Sequence, residues 1–251
     1  MTATVPAAAP GHRAWLAQTR IELLLTLRRG ESVLLTFLIP VVLLAFFATV
    51  DVLPTGDGDP IDFLFPGILA LAIMSTAFTS VAIATGFERQ SGVLKRLGST
   101  PLTRRQLLGA KTAAVVVIEF LQAVVLVIEG LLLGFRFTGG ALGVVLVAIV
   151  LATVAFSGLG LLMAGTLPAL TTLAAANGVY LLLLLVSGMV VSLDELPSGL
   201  ASLARLLPST ALAEVLRAGL ASGEVRGGSL AVLAAWAVAA PLAAARWFRW
   251  E

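Results

Sequence analysis

Apolar residues along this chain gather into six long segments separated by short polar connections. A helix needs about 20 residues to cross the hydrocarbon core of a bilayer, and each segment comes close to that length or exceeds it. The segments are 33–50, 66–87, 112–135, 141–165, 172–193 and 229–246. The pattern predicts an all-α polytopic membrane protein whose six transmembrane helices form one domain over residues 12–251, after a disordered tail at 1–11.

Two further parts of the chain are amphipathic rather than uniformly apolar. Residues 12–29 mix leucines with arginines, which predicts an N-terminal helix lying in the inner membrane interface. Before the sixth span, residues 196–207 and 209–221 form two short pieces separated by a proline, and Glu214 and Arg217 are spaced to pair at i, i+3. Because these pieces are too short to span, they either cap the outer surface of the bundle or dip into the outer leaflet with a role in gating.

Composition narrows the class of protein. Hydrophobic residues make up 59% of the chain and charged residues only 12%, with a mean hydropathy of +1.05. A soluble domain could not cover its surface with so few charges. The chain has no cysteine and one histidine, so disulfides and thiol ligands are excluded. Its basic clusters are typical of topology signals, and no nucleic-acid partner is expected.

Basic residues are distributed unevenly between the connections, which predicts the orientation of the spans. Most of the 16 lysines and arginines lie in the N-terminal segment, in the connection 87–111 or at the C-terminus. The first outer connection is acidic instead, with Asp51, Asp57, Asp59 and Asp62. Both termini are therefore predicted to be cytoplasmic. The chain is rich in alanine, glycine, leucine and arginine and poor in lysine, a composition typical of a GC-rich bacterium. We therefore expect the protein to lie in a bacterial inner membrane.

The connection 87–111 has local structure of its own. Three apolar residues share one face of a short predicted helix, opposite two basic residues. A glycine can end this helix, and a Thr-Pro step then requires extended backbone before a second helix begins near Thr103. The apolar residues are Val93, Leu94 and Leu97, and the basic residues are Lys95 and Arg96. The glycine is Gly98, and the Thr-Pro step is Thr100-Pro101.

A longer motif runs through the same connection. It comprises Glu88, Gly92, Val93, Leu94, Leu97, Thr100, Pro101, Leu102, Arg104 and Gly109 to Lys111. These residues resemble the cytoplasmic loop of the type-2 ABC exporter permeases, a family that includes daunorubicin-resistance-type drug exporters and polysaccharide exporters. The family motif reads acidic residue, Gly-Thr-Leu, Leu, Thr-Pro-Leu and Leu-Gly-Lys. Here Val93 replaces the threonine, and Ala110 separates the last glycine from the lysine.

The resemblance implies the permease subunit of an ATP-driven exporter, with a drug, lipid or lipid-linked metabolite as cargo and multidrug efflux as one such role. It implies a complex with two ATPase subunits, which bind ATP and magnesium, and with a second copy of this permease or a related one. It also implies re-entrant helices before the sixth span and no cofactor in this chain.

In the family this loop is the coupling helix, which docks on the ATPase subunit. The residues to which the resemblance assigns this role are Glu88, Gly92, Val93, Leu94, Lys95, Arg96, Leu97, Thr100 and Pro101. We expect Leu94→Asp or Leu97→Asp to abolish transport-coupled ATPase activity and to leave the permease folded.

Polar residues also occur at membrane depth, where ionisable groups are costly. They are Glu119, Gln122, Glu129 and Arg136 near the third span and Asn177 in the fifth. Because seven residues make nearly two helical turns, Gln122, Glu129 and Arg136 are predicted to lie near one stripe, with Glu129 paired to Arg136. The stripe is either part of a translocation path or a hydrogen-bonded seam between helices.

Small residues in two of the predicted spans indicate close packing between helices. They are Ser157, Gly158 and Gly160 in the fourth span and Gly178, beside Asn177, in the fifth. Side chains this small allow neighbouring helix backbones to approach closely in a membrane. We therefore predict helix–helix contacts at these positions rather than contacts with cargo.

Two other functions remain open on the sequence. One is a proton-coupled secondary transporter that uses Glu119 and Glu129, and the other is an accessory subunit of a membrane-embedded enzyme. The phosphate loop GxxxxGK[ST] is missing, since residues 107–112 match only its end. One histidine near the N-terminus cannot serve an acid–His–Ser site, so we expect that this chain is not itself an enzyme.

Overall fold

The structure is a computed structural model that describes residues 11–28, 30–50, 59–100 and 102–249, without the side chains of residues 11 and 31–33. Most of the predicted tail, the acidic residues Asp51 and Asp57, and Pro101 of the predicted coupling site lie outside the described residues. The described part contains helices and connections, with no strand in it.

Eleven α-helices account for most of the described chain. They are α1 (Gly11–Arg28), α2 (Gly30–Thr49), α3 (Pro60–Met74), α4 (Val81–Gln90), α5 (Val93–Gly98), α6 (Arg104–Leu132), α7 (Leu142–Thr166), α8 (Ala169–Val186), α9 (Ser198–Ala204), α10 (Pro208–Arg217) and α11 (Gly227–Trp247). The described chain also contains two π-helical segments. Ser75–Ser80 joins α3 to α4, and Ala218–Ser222 extends α10.

Within the described residues, five helical stretches are long and apolar enough to cross a bilayer. They are Pro60–Gln90, Arg104–Leu132, Leu142–Thr166, Ala169–Val186 and Gly227–Trp247. The pair Ser198–Ala204 and Pro208–Ser222, bent by 88°, would be a sixth if it were one span. The predicted first span lies in α2, whose apolar stretch Leu34–Thr49 is shorter than the others. The predicted all-α polytopic fold is confirmed, with five or six candidate spans.

Local sequence signals explain where two spans differ from their predicted limits. α3 begins at Pro60 rather than at residue 66, because Asp59 accepts a hydrogen bond from the Ile61 amide at 3.3 Å and proline suits the first helical position. α8 ends at Val186 rather than at residue 193. Just beyond it, Gly188 has a φ of 73°, a left-handed conformation that glycine adopts readily and that ends helices.

The second span, Pro60–Gln90, lies at the centre of the bundle. Of its most apolar stretch, 72% is buried within this one chain, against 17% for the last span. Its neighbour α7 approaches it very closely, since a Cβ on Gly160 would lie 2.7 Å from the Phe78 carbonyl oxygen. On another side of α7, a Cβ on Gly158 would lie 2.7 Å from the Pro241 nitrogen of α11. The predicted close packing of the fourth span is confirmed.

The short helices before the last span differ in burial. Leu212, Val215, Leu216 and Leu220 lie on one face of α10 and its extension, and each is at most 3% exposed. They belong to the main core, so α10 and its extension are packed inside the bundle rather than laid over it. Only α9, with exposed Leu200 and Leu203, has the character of a surface cap.

Glu214 and Arg217 interact electrostatically as predicted, but their charged groups make no ion-pair contact within the described structure. The Arg217 guanidinium donates to the Gly188 carbonyl at 2.8 Å and stacks 3.9 Å from the centre of the Phe63 ring. Glu214 accepts a hydrogen bond from Ser229 at 2.6 Å. Tertiary partners on α3, α11 and the segment after α8 therefore take the direct contacts of these two side chains.

Candidate functional site: the coupling helix and the ion cluster behind it

The short helix predicted within the connection 87–111 is present as α5, Val93–Gly98. Gly92 precedes it with a φ of 75°, so a residue with a Cβ would be strained there. The helix ends at Gly98 as predicted, and the Thr100 hydroxyl donates to the Leu97 carbonyl at 2.6 Å. Thr103 and Gln106 then form a reciprocal capping box that starts α6, in agreement with the predicted beginning near Thr103.

The two faces of α5 have different surroundings. Leu94 is 0% exposed and packs in a small core with Leu107, Leu161 and Phe248, and Leu97 packs against the same core. Val93, Lys95 and Arg96 are exposed. The expectation that Leu94→Asp would leave the permease folded is therefore wrong, because the charge would enter the protein's own core. The outward surface of α5 is basic, with Val93 as its exposed apolar residue.

A buried ion cluster lies behind α5. We call it the Lys111 cluster: the Lys111 ammonium contacts a carboxylate oxygen of Glu22 at 2.8 Å and one of Glu88 at 2.5 Å. Gln18 donates to the second oxygen of Glu22 at 2.7 Å. The exposed fractions of the Lys111, Glu22 and Glu88 side chains are 5%, 11% and 13%. Buried charges are stable only when they are paired and hydrogen-bonded, as here.

The Lys111 cluster joins three helices around the coupling loop. Glu88 lies on α4 just before α5, Lys111 lies on α6 just after it, and Glu22 comes from α1. The cluster thus closes the base of the loop that carries α5 and attaches α1 to it. The motif residues Glu88 and Lys111 are both part of it.

Sequence reasoning missed Glu22, which is separated from Lys111 by 89 positions. The one signal in the sequence that could have found it is the spacing of Gln18 and Glu22, which puts both on one face of α1. In the structure these two residues are buried, while Leu16, Ile21 and Leu24 are exposed. α1 therefore turns Gln18 and Glu22 toward the protein, and leucines together with its arginines outward, which suits a helix at a lipid interface. Whether α1 lies in the inner interface stays a prediction.

Other spans end near the same loop. Arg89, next to Glu88, donates to the Leu167 carbonyl at the end of α7 at a distance of 2.6 Å. The Arg249 amide, beyond α11, donates to the Gly165 carbonyl at 3.1 Å. The ends of α4, α7 and α11 and the start of α6 therefore gather at one end of the bundle, together with α1.

This combination of spans and coupling loop agrees with the comparison to known families. The sequence model of the ABC-2 type transporter family matches residues 13–221, which is most of the chain. The chain belongs to the ABC-2 type transporter family. It is thus a multi-pass membrane protein and a transport component, and family membership implies partnership with an ABC ATPase. Comparison with curated proteins gave no match.

In this ABC-2 permease, Gln122 connects three elements inside the bundle. Its carbonyl oxygen accepts from the Thr76 hydroxyl of the π-helical segment at 3.1 Å, and its amide donates to the Thr36 carbonyl of α2 at 2.8 Å. Gln122 is 2% exposed. This geometry favours the seam between helices over a translocation path at this residue.

The two intramembrane glutamates have fewer partners. Glu119 is 4% exposed and accepts a hydrogen bond from Thr153 of α7 at 2.5 Å, while its other oxygen has no partner among the described residues. Glu129 lies against the backbone of Ala45 in α2, and one of its buried oxygens also lacks a partner in the described part of the chain. Glu119 therefore joins α6 to α7, and Glu129 lies between α6 and α2.

The predicted pair between Glu129 and Arg136 is wrong. Both residues are described, and no ion pair joins them there. α6 ends at Leu132, and Gly134 has a φ of 100°, so the helical stripe does not continue to Arg136. Arg136 instead interacts electrostatically with Asp62 at the start of the second span.

Asn177 is also placed differently from the prediction. It is exposed on α8 and donates to the Leu173 carbonyl of its own helix at 2.9 Å. A Cβ on Gly178 would meet no atom within 4 Å, so the face of α8 that carries Asn177 and Gly178 contacts no other helix within the described chain, whereas Ala176 on another face is buried in the main core. The close packing predicted at Gly178 is therefore not present within the described chain, although α8 packs closely elsewhere, since a Cβ on Gly86 would lie 3.4 Å from Thr172.

No candidate metal site accompanies these residues. Among residues 11–28, 30–50, 59–100 and 102–249, no group of three or more His, Asp or Glu side chains is arranged to hold an ion.

Proposed function

We propose that this chain is the permease half of an ATP-driven exporter and that α5 passes conformational change from a separate ATPase subunit to the spans. The observation that supports this is the division of α5 into an inward apolar face and an outward basic face, with the Lys111 cluster behind it. An ATPase pressing on α5 would move α4 and α6 together with α1, since ion pairs hold the three helices to one another.

The docking surface in this proposal consists of Val93, Lys95 and Arg96. Arg104 and Arg105, which follow α5, are exposed in the first turn of α6, where positive charge opposes the helix dipole. Basic residues that do not stabilise their own helix are suited to an acidic partner surface.

The rest of the complex follows from the family. ATP and magnesium would be bound by two ATPase subunits, and a second permease copy or a related permease would complete the transport path. Both termini would be cytoplasmic in a bacterial inner membrane, with the Lys111 cluster on the inner side. A hydrophobic or amphipathic cargo, such as a drug or a lipid, fits the apolar interior, and export of drugs would confer antibiotic resistance.

The test is binding of the cognate ATPase to the purified permease, measured by affinity co-purification and by stimulated ATP hydrolysis. Arg96→Glu should reduce binding about tenfold or more, equal to about 1.4 kcal/mol, because it reverses a charge on the docking surface. Arg20→Glu is the matched control, since Arg20 is an exposed arginine on α1. Equal binding by both variants would contradict docking through α5, provided both have the wild-type melting temperature.

A proton-coupled transporter that uses Glu119 and Glu129 is the alternative. The carboxylate oxygens that lack a partner among the described residues favour it, whereas family membership favours coupling to ATP. Transport that persists without ATP hydrolysis and is lost in Glu119→Gln would support the alternative.

A further inference from the structure

A cavity of about 440 Å³ lies beside the second span, between α1, α2, the π-helical segment with α4, and α6. One end reaches the Lys111 side chain, and the other reaches Thr76 and Ile118. The volume falls in the range of small-molecule sites, roughly 300–1,000 Å³. No function described above uses this space.

The second span opens specifically toward this cavity. Although it is the most enclosed span, Ser80 and Phe87 are exposed and Ile83 and Ala84 are half-buried, and all four line the cavity. Their spacing of three to four residues forms one helical stripe. The stripe begins in the π-helical segment Ser75–Ser80, a type of irregularity that is frequent at functional sites.

The lining combines apolar side chains with a row of hydroxyl groups. Thr76, Thr79, Ser80 and Thr85 contribute the hydroxyls of the second span. The buried Thr79 hydroxyl has no hydrogen-bond partner among the described residues, which is costly for a polar group at membrane depth. A bound molecule with an apolar body and a hydrogen-bonding group would satisfy it.

The charges at the Lys111 end select against anions. The ammonium of Lys111 is already engaged by Glu22 at 2.8 Å and by Glu88 at 2.5 Å. Two carboxylates thus surround one ammonium at this end. An anionic headgroup there would approach more negative than positive charge, whereas a neutral or cationic group would not be repelled.

We propose that this cavity binds a neutral or cationic amphiphile, with the apolar body against the stripe of α4 and the polar group among the threonine hydroxyls. In the exporter, this cavity would first receive the cargo from the leaflet on the α5 side, and that role rests on the proposed function. As a binding site, it does not depend on the ATPase.

Binding is tested on the purified full-length permease without ATPase, by fluorescence anisotropy of three probes that share a pyrene body. The probes are 1-pyrenebutanol, (1-pyrenebutyl)trimethylammonium and 1-pyrenebutanoate. The neutral and cationic probes should bind at least about tenfold more tightly than the anionic one, a difference of about 1.4 kcal/mol. Tighter or equal binding of pyrenebutanoate would overturn the charge assignment.

Two variants locate the site. Ala84→Trp fills the cavity and should weaken binding of the neutral and cationic probes about tenfold or more. Ala239→Trp is the matched control on an exposed face of α11 and should leave binding unchanged. Equal binding by Ala84→Trp and wild type overturns the site, even if the ATPase still docks on α5. If the wild-type permease binds the probes but does not bind the ATPase, the proposed function is overturned instead.

Thr79→Val separates a ligand contact from a structural role. A hydroxyl without a partner destabilises the protein, so its removal should maintain or raise the melting temperature. If the ligand bonds to this hydroxyl, the same variant should weaken binding of pyrenebutanol several-fold. Unchanged affinity would contradict the contact at Thr79.

Discussion

Two cations are held inside the protein at opposite ends of the second span, and the way each is held differs. Lys111 is 5% exposed and lies between two carboxylates from two other helices. Arg217 is half-buried, donates to one backbone carbonyl at 2.8 Å and stacks on Phe63. Its Nε has no partner in the described part of the chain.

The difference teaches what each end of the bundle depends on. At the coupling end, a compact ammonium joins α1, α4 and α6 through charge, so each member needs the others to remain charged. At the other end, a planar guanidinium joins α10 to α3 by stacking on Phe63 and to the segment after α8 by one hydrogen bond. The coupling end should therefore be sensitive to charge, and the other end to the geometry of the cation.

The largest effect is expected for Lys111→Met. It leaves two buried carboxylates facing each other without a cation, and breaking a buried pair costs about 3–5 kcal/mol. Thermal unfolding of the detergent-solubilised protein measures it. Arg104→Met, an exposed change on the same helix, should cost no more than about 0.5 kcal/mol.

Neutralising the partners sharpens this result. If charge is the cause, adding Glu22→Gln and Glu88→Gln to Lys111→Met should recover much of the lost stability, because neutral buried groups often replace ions at little cost. A triple variant as unstable as Lys111→Met alone would show that packing of the lysine chain, rather than charge, holds this end.

A smaller effect is expected for Arg217→Lys. The charge remains, but the planar group that stacks on Phe63 and reaches the Gly188 carbonyl is lost, at a cost of about 1–2 kcal/mol. Arg205→Lys is the control, because Arg205 is exposed and lies 3.8 Å from Glu214. A wild-type melting temperature for Arg217→Lys would remove the proposed contrast between the two ends.

The smallest effect concerns Glu129 and Arg136. Because the two residues are not paired, Glu129→Gln and Arg136→Ala should add within about 0.5 kcal/mol in a double-mutant cycle on thermal stability. A larger coupling energy would indicate a direct interaction and would place a third ion pair inside the bundle.

Much of the fold could be predicted because it depends on neighbours in sequence. Leu142–Thr166 matches the predicted fourth span to within one residue at each end, since its apolar length and the proline after it define it. The limits of α5 follow from Gly92 and Gly98, and the start of α6 from the Thr103 cap, in the same way. These signals act over a few residues and need no partner elsewhere.

Predictions of pairing failed where the geometry between the residues was assumed. The stripe from Glu129 to Arg136 required an unbroken helix, but α6 ends between them. A direct contact of Glu214 with Arg217 required that no tertiary partner compete, yet Phe63 and Ser229 do, and only an electrostatic interaction remains. The expectation that Leu94→Asp leaves the permease folded assumed an open apolar face, but helical periodicity identifies a face without telling what covers it.

The sequence by itself determined the membrane class, the helices, the boundaries of the coupling loop and the family. Each depends on apolar length, helix caps or a local motif, which are properties of short segments. Only the tertiary structure decided that Glu22 meets Lys111 across 89 positions, that Leu94 faces inward and that the second span opens onto a cavity. These features depend on how distant helices pack, and the free energy of that packing is summed over the whole bundle rather than encoded in one segment.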